Sequence, residues 1–279
     1  VPGRADPATR VILDRLYRRF HRFEYVATDP LAVVYDYADR ADRELAGLIA
    51  AGLAFGDATQ IQRAAREVLG RIGPRPAEVL RALSPRDIRH RAAGFRYRWV
   101  SDEALAAFLL GLGRCLRAHG SVEAWMAARG GQPAHPADAP ETLRAVLMNW
   151  TRDFLRAMGV ARHPMWPDPE RGGACKRTLL YLRWMVRRDQ VDPGCWTLLT
   201  PAMLVCPVDR HVHRFALRVG ITRRATADWR TAVEITRFFR ALCPRDPCRW
   251  DFALTRAAML DALPEAWRGG SGGVAHPGR

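Results

Sequence analysis

The sequence predicts an all-α protein. Three observations carry this. Apolar residues recur at helical spacing along most of the chain, and no alternating apolar–polar run of any length interrupts them. Helix-start signals, an acidic or hydroxyl residue followed by proline, stand at Asp29-Pro30, Ser84-Pro85 and Asp192-Pro193. No segment repeats itself at a period of 20–50 residues, so the helices are not a solenoid.

The elements follow in order. Asp29-Pro30 opens a helix carrying Leu31, Val33, Val34 and Tyr37. From Asp42 the segment holding Leu45, Leu48, Ile49 and Leu53, with Ala46, Gly47, Ala50 and Ala51 between, is apolar on most faces. It is therefore expected to be a central buried helix. Gly56-Asp57 breaks it, and Ile61, Ala64, Ala65, Val68 and Leu69 mark the next helix, ending before Gly73-Pro74. Pro76 starts a short helix, and Ser84-Pro85 starts one that leads into Gly94-Phe95-Arg96-Tyr97-Arg98-Trp99. Further helices are read from Asp102 to about Arg117, Ser121 to about Ala128 and Pro140 to about Met158. Gly130 to Ala139 is Gly/Pro-rich and reads as an exposed loop, and His163 to Gly173 as irregular chain. A helix near Ala174 carries Lys176, Leu179, Leu180, Leu182, Trp184, Met185 and Val186. Asp192-Pro193 is expected to cap another, short one. The last two run from about Ala227 to Ala241 and Asp246 to Leu260, and from Trp267 the Gly/Ser tail is expected to be disordered.

Composition narrows the partner. Of 279 residues 48% are hydrophobic and 26% charged, which is globular and not disordered composition. Lys+Arg exceed Asp+Glu by 44 to 29, a net charge of +15, which favours a polyanion such as nucleic acid or an anionic membrane. No apolar run is long enough to span a bilayer, and no signal-peptide pattern opens the chain, so the expected compartment is the cytoplasm. The six cysteines form no CxxC pair and read as scattered thiols in a reducing compartment, not a zinc site.

Lys176 is the only lysine. Arginine-biased coding explains why lysine is rare but not where the survivor sits. Arginine serves for charge and phosphate contact, but it does not lose its proton, so a lone lysine raises the question of an amine used as a nucleophile. It follows Arg171-Gly172-Gly173-Ala174-Cys175, a Gly-rich turn whose backbone N–H groups suit a phosphate. At the start of a helix, beside Arg171 and Arg177, the neutral amine is expected to be favoured. The plain alternative is a solvated surface lysine. Downstream stands Cys206-Pro207-Val208-Asp209-Arg210-His211-Val212-His213. Asp209 reads as a helix N-cap or as a reactive carboxylate. His211 and His213, two apart, do not share a helix face, so no metal is expected.

A Gly-rich turn, a helix with Lys, then Pro-Val-Asp-x-His resembles the helix-hairpin-helix DNA glycosylase superfamily. The resemblance implies that Lys176 is the nucleophile and Asp209 the catalytic carboxylate. Two upstream segments agree. Ala50 to Ile61 is similar to the superfamily's first signature helix pair, whose intervening turn probes the duplex; by position Gly56, Asp57 and Gln60 would contact DNA. Gly94 to Val100 resembles the Gly-Tyr-Arg-Ala-Arg-Tyr segment of the 8-oxoguanine DNA glycosylases. By position Phe95 would be the wedge that fills the hole left by the flipped base, Arg96 the orphan-base contact, and Arg98 a further DNA contact. Gly172, Gly173, Arg177, Arg210 and His211 complete the expected DNA-binding set. The resemblance spans residues 42–215. Phe20 to Tyr25 and Leu182 to Arg187 are similar to stretches of uncharacterised bacterial relatives of the archaeal 8-oxoguanine glycosylases. Two features depart from the pattern: Glu170-Arg171-Gly172-Gly173-Ala174 replaces the usual hairpin, and a segment around Asp189 to Trp196 lengthens the interval from Lys176 to Asp209.

The implied fold has two helical lobes with the active cleft between them. Residues 40–165 form one; 1–39 plus 166–265 form the other, and 266–279 are a tail. The implied activity is base-excision repair of an oxidised purine such as 8-oxoguanine, with lyase activity through a lysine Schiff base. The enzyme would need no cofactor and act as a monomer on double-stranded DNA at the nucleoid. The competing readings are a glycosylase for another modified base, as in phage DNA, and a non-catalytic helix-hairpin-helix DNA-binding protein. Trp99 and Trp184 are read as core in preference to stacking on a base, and Arg183, Arg187 and Arg188 as a solvated face.

Overall fold

A computed structural model describes residues 5–130 and 139–267. It is helical, with isolated bridges and no strands among the described residues. The helices are α1 (Pro7–Phe20), α2 (Ala32–Tyr35), α3 (Arg40–Gly52), α4 (Ala58–Ile72), α5 (Pro76–Ala82), α6 (Pro85–Ala92) and α7 (Asp102–His119). After them come α8 (Val122–Ala127), α9 (Ala139–Met158), α10 (Lys176–Val186), α11 (Arg210–Val219), α12 (Trp229–Leu242) and α13 (Asp251–Met259). No described helix is long and apolar enough to cross a membrane.

Local chemistry sets most boundaries. Asp39, Asp57, Ser84, Ser101, Ser121, Asp209 and Asp228 each accept a hydrogen bond from a first-turn N–H of the following helix. Ser84 and Asp87 form a reciprocal capping box. The apolar run from Asp42 is the central helix expected. It starts slightly earlier, at the Asp39 cap, because Asp42 has a different use: it is buried and accepts from Ala77 N at 2.8 Å, tying α3 to α5.

The buried side chains form one contiguous cluster. α3 packs on α2, α4, α5 and α8, and α7 on α5, α6, α8 and α9; α13 packs on α1 and α11. The α3 and α7 groups share α5 and α8, and α10 packs on α3. Gly47 makes this last contact possible, since a Cβ there would lie 3.0 Å from Met185 Cε and 3.3 Å from the Tyr181 ring.

Several expectations need correction. Asp192-Pro193 starts no helix. Asp189 Oδ1 accepts from Val191 N and Asp192 N in a tight turn, and Gly194 N and Trp196 N then bond Trp184 O and Met185 O at the end of α10. Arg183 and Arg187 are buried in ion pairs, not part of a solvated face. Trp184 is core as expected, but Trp99 is 63% exposed. Trp267 is ordered against the Phe215 ring, 4.8 Å between centroids, and its carbonyl accepts from Arg218. The expected tail beyond it and the loop at 131–138 lie outside the described residues.

Candidate active site

Lys176 is the first residue of α10. The chain enters the helix through Gly172 at φ 76° and Cys175 at φ 50°, two left-handed residues that turn it sharply. Gly172 is fixed at both ends: its N–H donates to Pro169 O and its carbonyl accepts from Trp229 N. A Gly172 amide aimed at phosphate is therefore not available, whereas Gly173 is exposed. Half-buried Lys176 makes no hydrogen bond or ion pair among the described residues, and it lines an open cavity of about 860 Å³.

Asp209 lines the same cavity. Its Oδ1 accepts from His211 N and Val212 N, each at 2.8 Å, so the capping reading holds. Its Oδ2 accepts from Thr255 Oγ1 at 3.3 Å. Cap and cavity wall are one residue, because an N-cap carboxylate sits where α11 begins and α11 begins at the cavity. His211 is part of the same wall. Burial lowers the pKa of its imidazole; Asp209 opposes this, and Arg210, Arg214 and Lys176 add to it. Its Nε2 faces Arg210 Nε at 3.1 Å, whereas His213 Nε2 faces Arg224 O at 2.9 Å, so the two imidazoles serve different partners.

Across the cavity are Gly56, Asp57 and Arg98. Gly56, at φ 106°, holds a backbone conformation that L side chains rarely adopt, and an added Cβ would lie 2.7 Å from the Arg98 guanidinium, which would have to move. Asp57 caps α4, and exposed Gln60 lies outside the cavity wall. Arg96 is exposed but also outside it.

Two expected DNA contacts are placed elsewhere. Phe95 is 2% exposed and lies under the Arg71 guanidinium, so it is core and not a wedge. The exposed aromatic of that segment is Trp99, stacked on Phe55 at 4.5 Å and 19°; Phe55 itself lines the cavity. Arg177 donates to Gly52 O at 2.9 Å and Pro164 O at 2.7 Å and lies over Phe55. Burial lowers its pKa to about 10. It caps the last carbonyl of α3, at Gly52, ties it to the Pro164 carbonyl ahead of α10, and so is committed to backbone rather than to phosphate. Arg171, likewise, stands 3.9 Å from Asp168. Arg210 remains exposed at the cavity mouth.

The part of the wall that the sequence did not reveal is α13, with Asp251, Phe252, Thr255, Arg256 and Met259, together with Asp29 and Arg183. Asp251, Thr255 and Met259 are spaced i, i+4, i+8, so they share a face. That spacing was legible; that the face meets a cavity was not. Behind it Arg183 pairs with Asp251 and Asp192, Arg187 pairs with Asp192, Asp189 and Asp246, and His21 Nε2 stands 3.0 Å from Asp189 Oδ1. This network joins the two segments, Phe20 to Tyr25 and Leu182 to Arg187, noted in the sequence.

Residues 29–260 match the family described as Protein of unknown function (DUF2400), and the chain belongs to that family. No curated protein and no solved structure matches it.

Proposed function

We propose that this DUF2400 protein is a DNA glycosylase with abasic-site lyase activity. The observation that carries the reading is the sole lysine, without a partner among the described residues, on the wall of a cavity shared with a capping aspartate, Asp209. Cleaving an N-glycosidic bond builds positive charge on the sugar, which the Asp209 carboxylate stabilises. The Lys176 amine attacks C1′, the bond to the base breaks, and the resulting Schiff base permits β-elimination at the 3′ side. The base must first leave the stack, at a cost of a few kcal/mol. Trp99, exposed beside Arg98, takes the wedge role here in place of Phe95, and Arg210 contacts phosphate. The net charge of +15 supports a duplex partner.

The proposed architecture has two lobes, 40–165 and 1–39 plus 166–265, with the cavity between them. It is supported by a lining drawn from both groups: Gly56, Asp57 and Arg98 on one side, Lys176, Asp209 and α13 on the other. The proposed substrate is an oxidised purine of the 8-oxoguanine type.

Borohydride trapping on abasic duplex tests the reading. A covalent adduct is expected, lost in Lys176→Gln and equally in Lys176→Arg, since arginine keeps the charge but cannot deprotonate. An α-amino group, with a pKa of about 7.7–8.0, also forms Schiff bases, so the trapped peptide is mapped. A label anywhere but Lys176, or full trapping by Lys176→Gln, refutes the assignment.

A further inference from the structure

We propose that Asp251 is a second reacting carboxyl group, the acid that protonates the base as it leaves. The inference rests on the glycosylase reading and extends it by one catalytic residue.

The geometry is specific. Asp251 stands at the start of α13, 4% exposed, with that small surface on the cavity that also holds Lys176 and Asp209. One oxygen, Oδ2, accepts from Arg183 Nη1; among the described residues Oδ1 has no hydrogen-bond partner. One turn on, Thr255 donates to Asp209 Oδ2, so α13 holds both carboxyl groups to the same wall. The two are not equivalent. Asp209 accepts three hydrogen bonds, two from the first turn of α11 and one from Thr255, the arrangement of an ionised, acceptor-only carboxylate. Asp251 is buried beside that charge, and two carboxylates on one wall do not both ionise readily.

The charged groups around Asp251 pull its proton affinity in opposite directions. Burial comes first and favours the neutral acid. Arg183 on α10 opposes it, but that guanidinium is shared with Asp192. Asp209 ahead of α11 and Asp192 in the loop after α10 both favour the proton, and together these hold the carboxyl up to about 6. The Cys206 thiol also faces it. That thiol stays neutral, held up by its hydrogen bond to Cys248 and by burial.

The step balances. The C1′–N bond breaks with its electron pair passing to the base nitrogen. The Asp251 carboxyl proton goes to the base, which leaves neutral. Lys176 nitrogen forms the new bond to C1′ and gives up one proton to solvent, and Asp251 is reprotonated from solvent. No oxidant or further reactant is required. An abasic site has no base to protonate, which gives the test its internal reference.

Single-turnover excision of 8-oxoguanine from duplex DNA is measured from about pH 5 to 8 beside nicking of preformed abasic duplex, as the ratio of the two rates. For the wild type the ratio should fall as pH rises through about 6, as the acid loses its proton. Asp251→Asn should lower the ratio by about 100-fold or more and flatten its pH dependence. Asp251→Glu should restore part of both. A wild-type ratio in Asp251→Asn with the pH fall retained overturns the proposal. So does equal loss of excision and nicking, which would make Asp251 a structural support. Failure of the wild-type protein to nick or trap abasic DNA is a separate result and sinks the glycosylase reading itself.

Discussion

Replacing Arg177 by methionine separates a structural guanidinium from a DNA contact. Methionine keeps much of the aliphatic reach and removes two hydrogen bonds, to Gly52 O and Pro164 O, and the cation over the Phe55 ring. Hydrogen bonds from a charged donor contribute about 1.5–3 kcal/mol each. The cation–ring contact adds about 0.5–1 kcal/mol at a partly exposed site. The side chain is part-exposed, so water recovers some of the carbonyl bonding, and the expected net loss is about 2–4 kcal/mol. At about 2–4 °C per kcal/mol for a chain of this size, Tm should fall by roughly 4–16 °C. Urea and thermal unfolding measure that loss. Duplex binding across a salt series measures the other possibility, since each phosphate contact contributes about 0.9 to the slope of log K against log salt. Arg177→Met should melt early with an unchanged slope. Arg210→Ala, exposed at the mouth of the cavity, should do the reverse. Arg177→Met melting with the wild type while its slope drops by about 0.9 would refute the capping assignment.

Three further outcomes are expected. Asp209→Asn should leave stability nearly intact, because asparagine caps as well as aspartate, yet slow excision by about 10²–10³-fold through loss of the charge; equal loss of melting temperature and activity would contradict this. Trp99→Ala should weaken binding to abasic duplex by about tenfold or more, as expected for a lost base stack, whereas Phe95→Ala should cost about 3–5 kcal/mol of folding stability, a core effect; an unfolding series and a binding series on both variants distinguish them. Burial by itself would raise the pKa of Asp189, but His21 and Arg187 hold its carboxyl well below the usual range. Its folded pKa being depressed, the stability it contributes is present above about pH 4 and is lost as pH falls. Urea midpoints measured from about pH 5 down to 3 should decline, and Asp189→Asn should decline less steeply over the same interval.

Most helices and their starts were legible because they depend on neighbours; α1, capped by Asp6, was not read. Asp57, Ser84 and Asp209 cap the helices read from the sequence, and a cap is settled within three residues. The periodicity that marked α3 as central is similarly local, and Lys176 drew attention by being the sole lysine ahead of a helix. Asp192 shows the limit of such signals. Aspartate followed by proline is a valid start, yet the side chain goes to Arg183 and Arg187 and no helix forms.

Where a charged or aromatic side chain ends up was decided only by tertiary structure. Arg177, adjacent to Lys176 in sequence, bonds a carbonyl 125 positions away, and Arg183 bonds a carboxylate 68 positions away. Phe95 and Trp99, four apart in one segment, end on opposite sides of the protein surface. The cavity face of α13 had the spacing of an ordinary amphipathic helix. The sequence alone determined which residues could do chemistry, because that is a property of the side chain. Packing determined which of them face one another, because burying an arginine or a carboxylate is favourable only when a partner from elsewhere in the chain is already there to receive it.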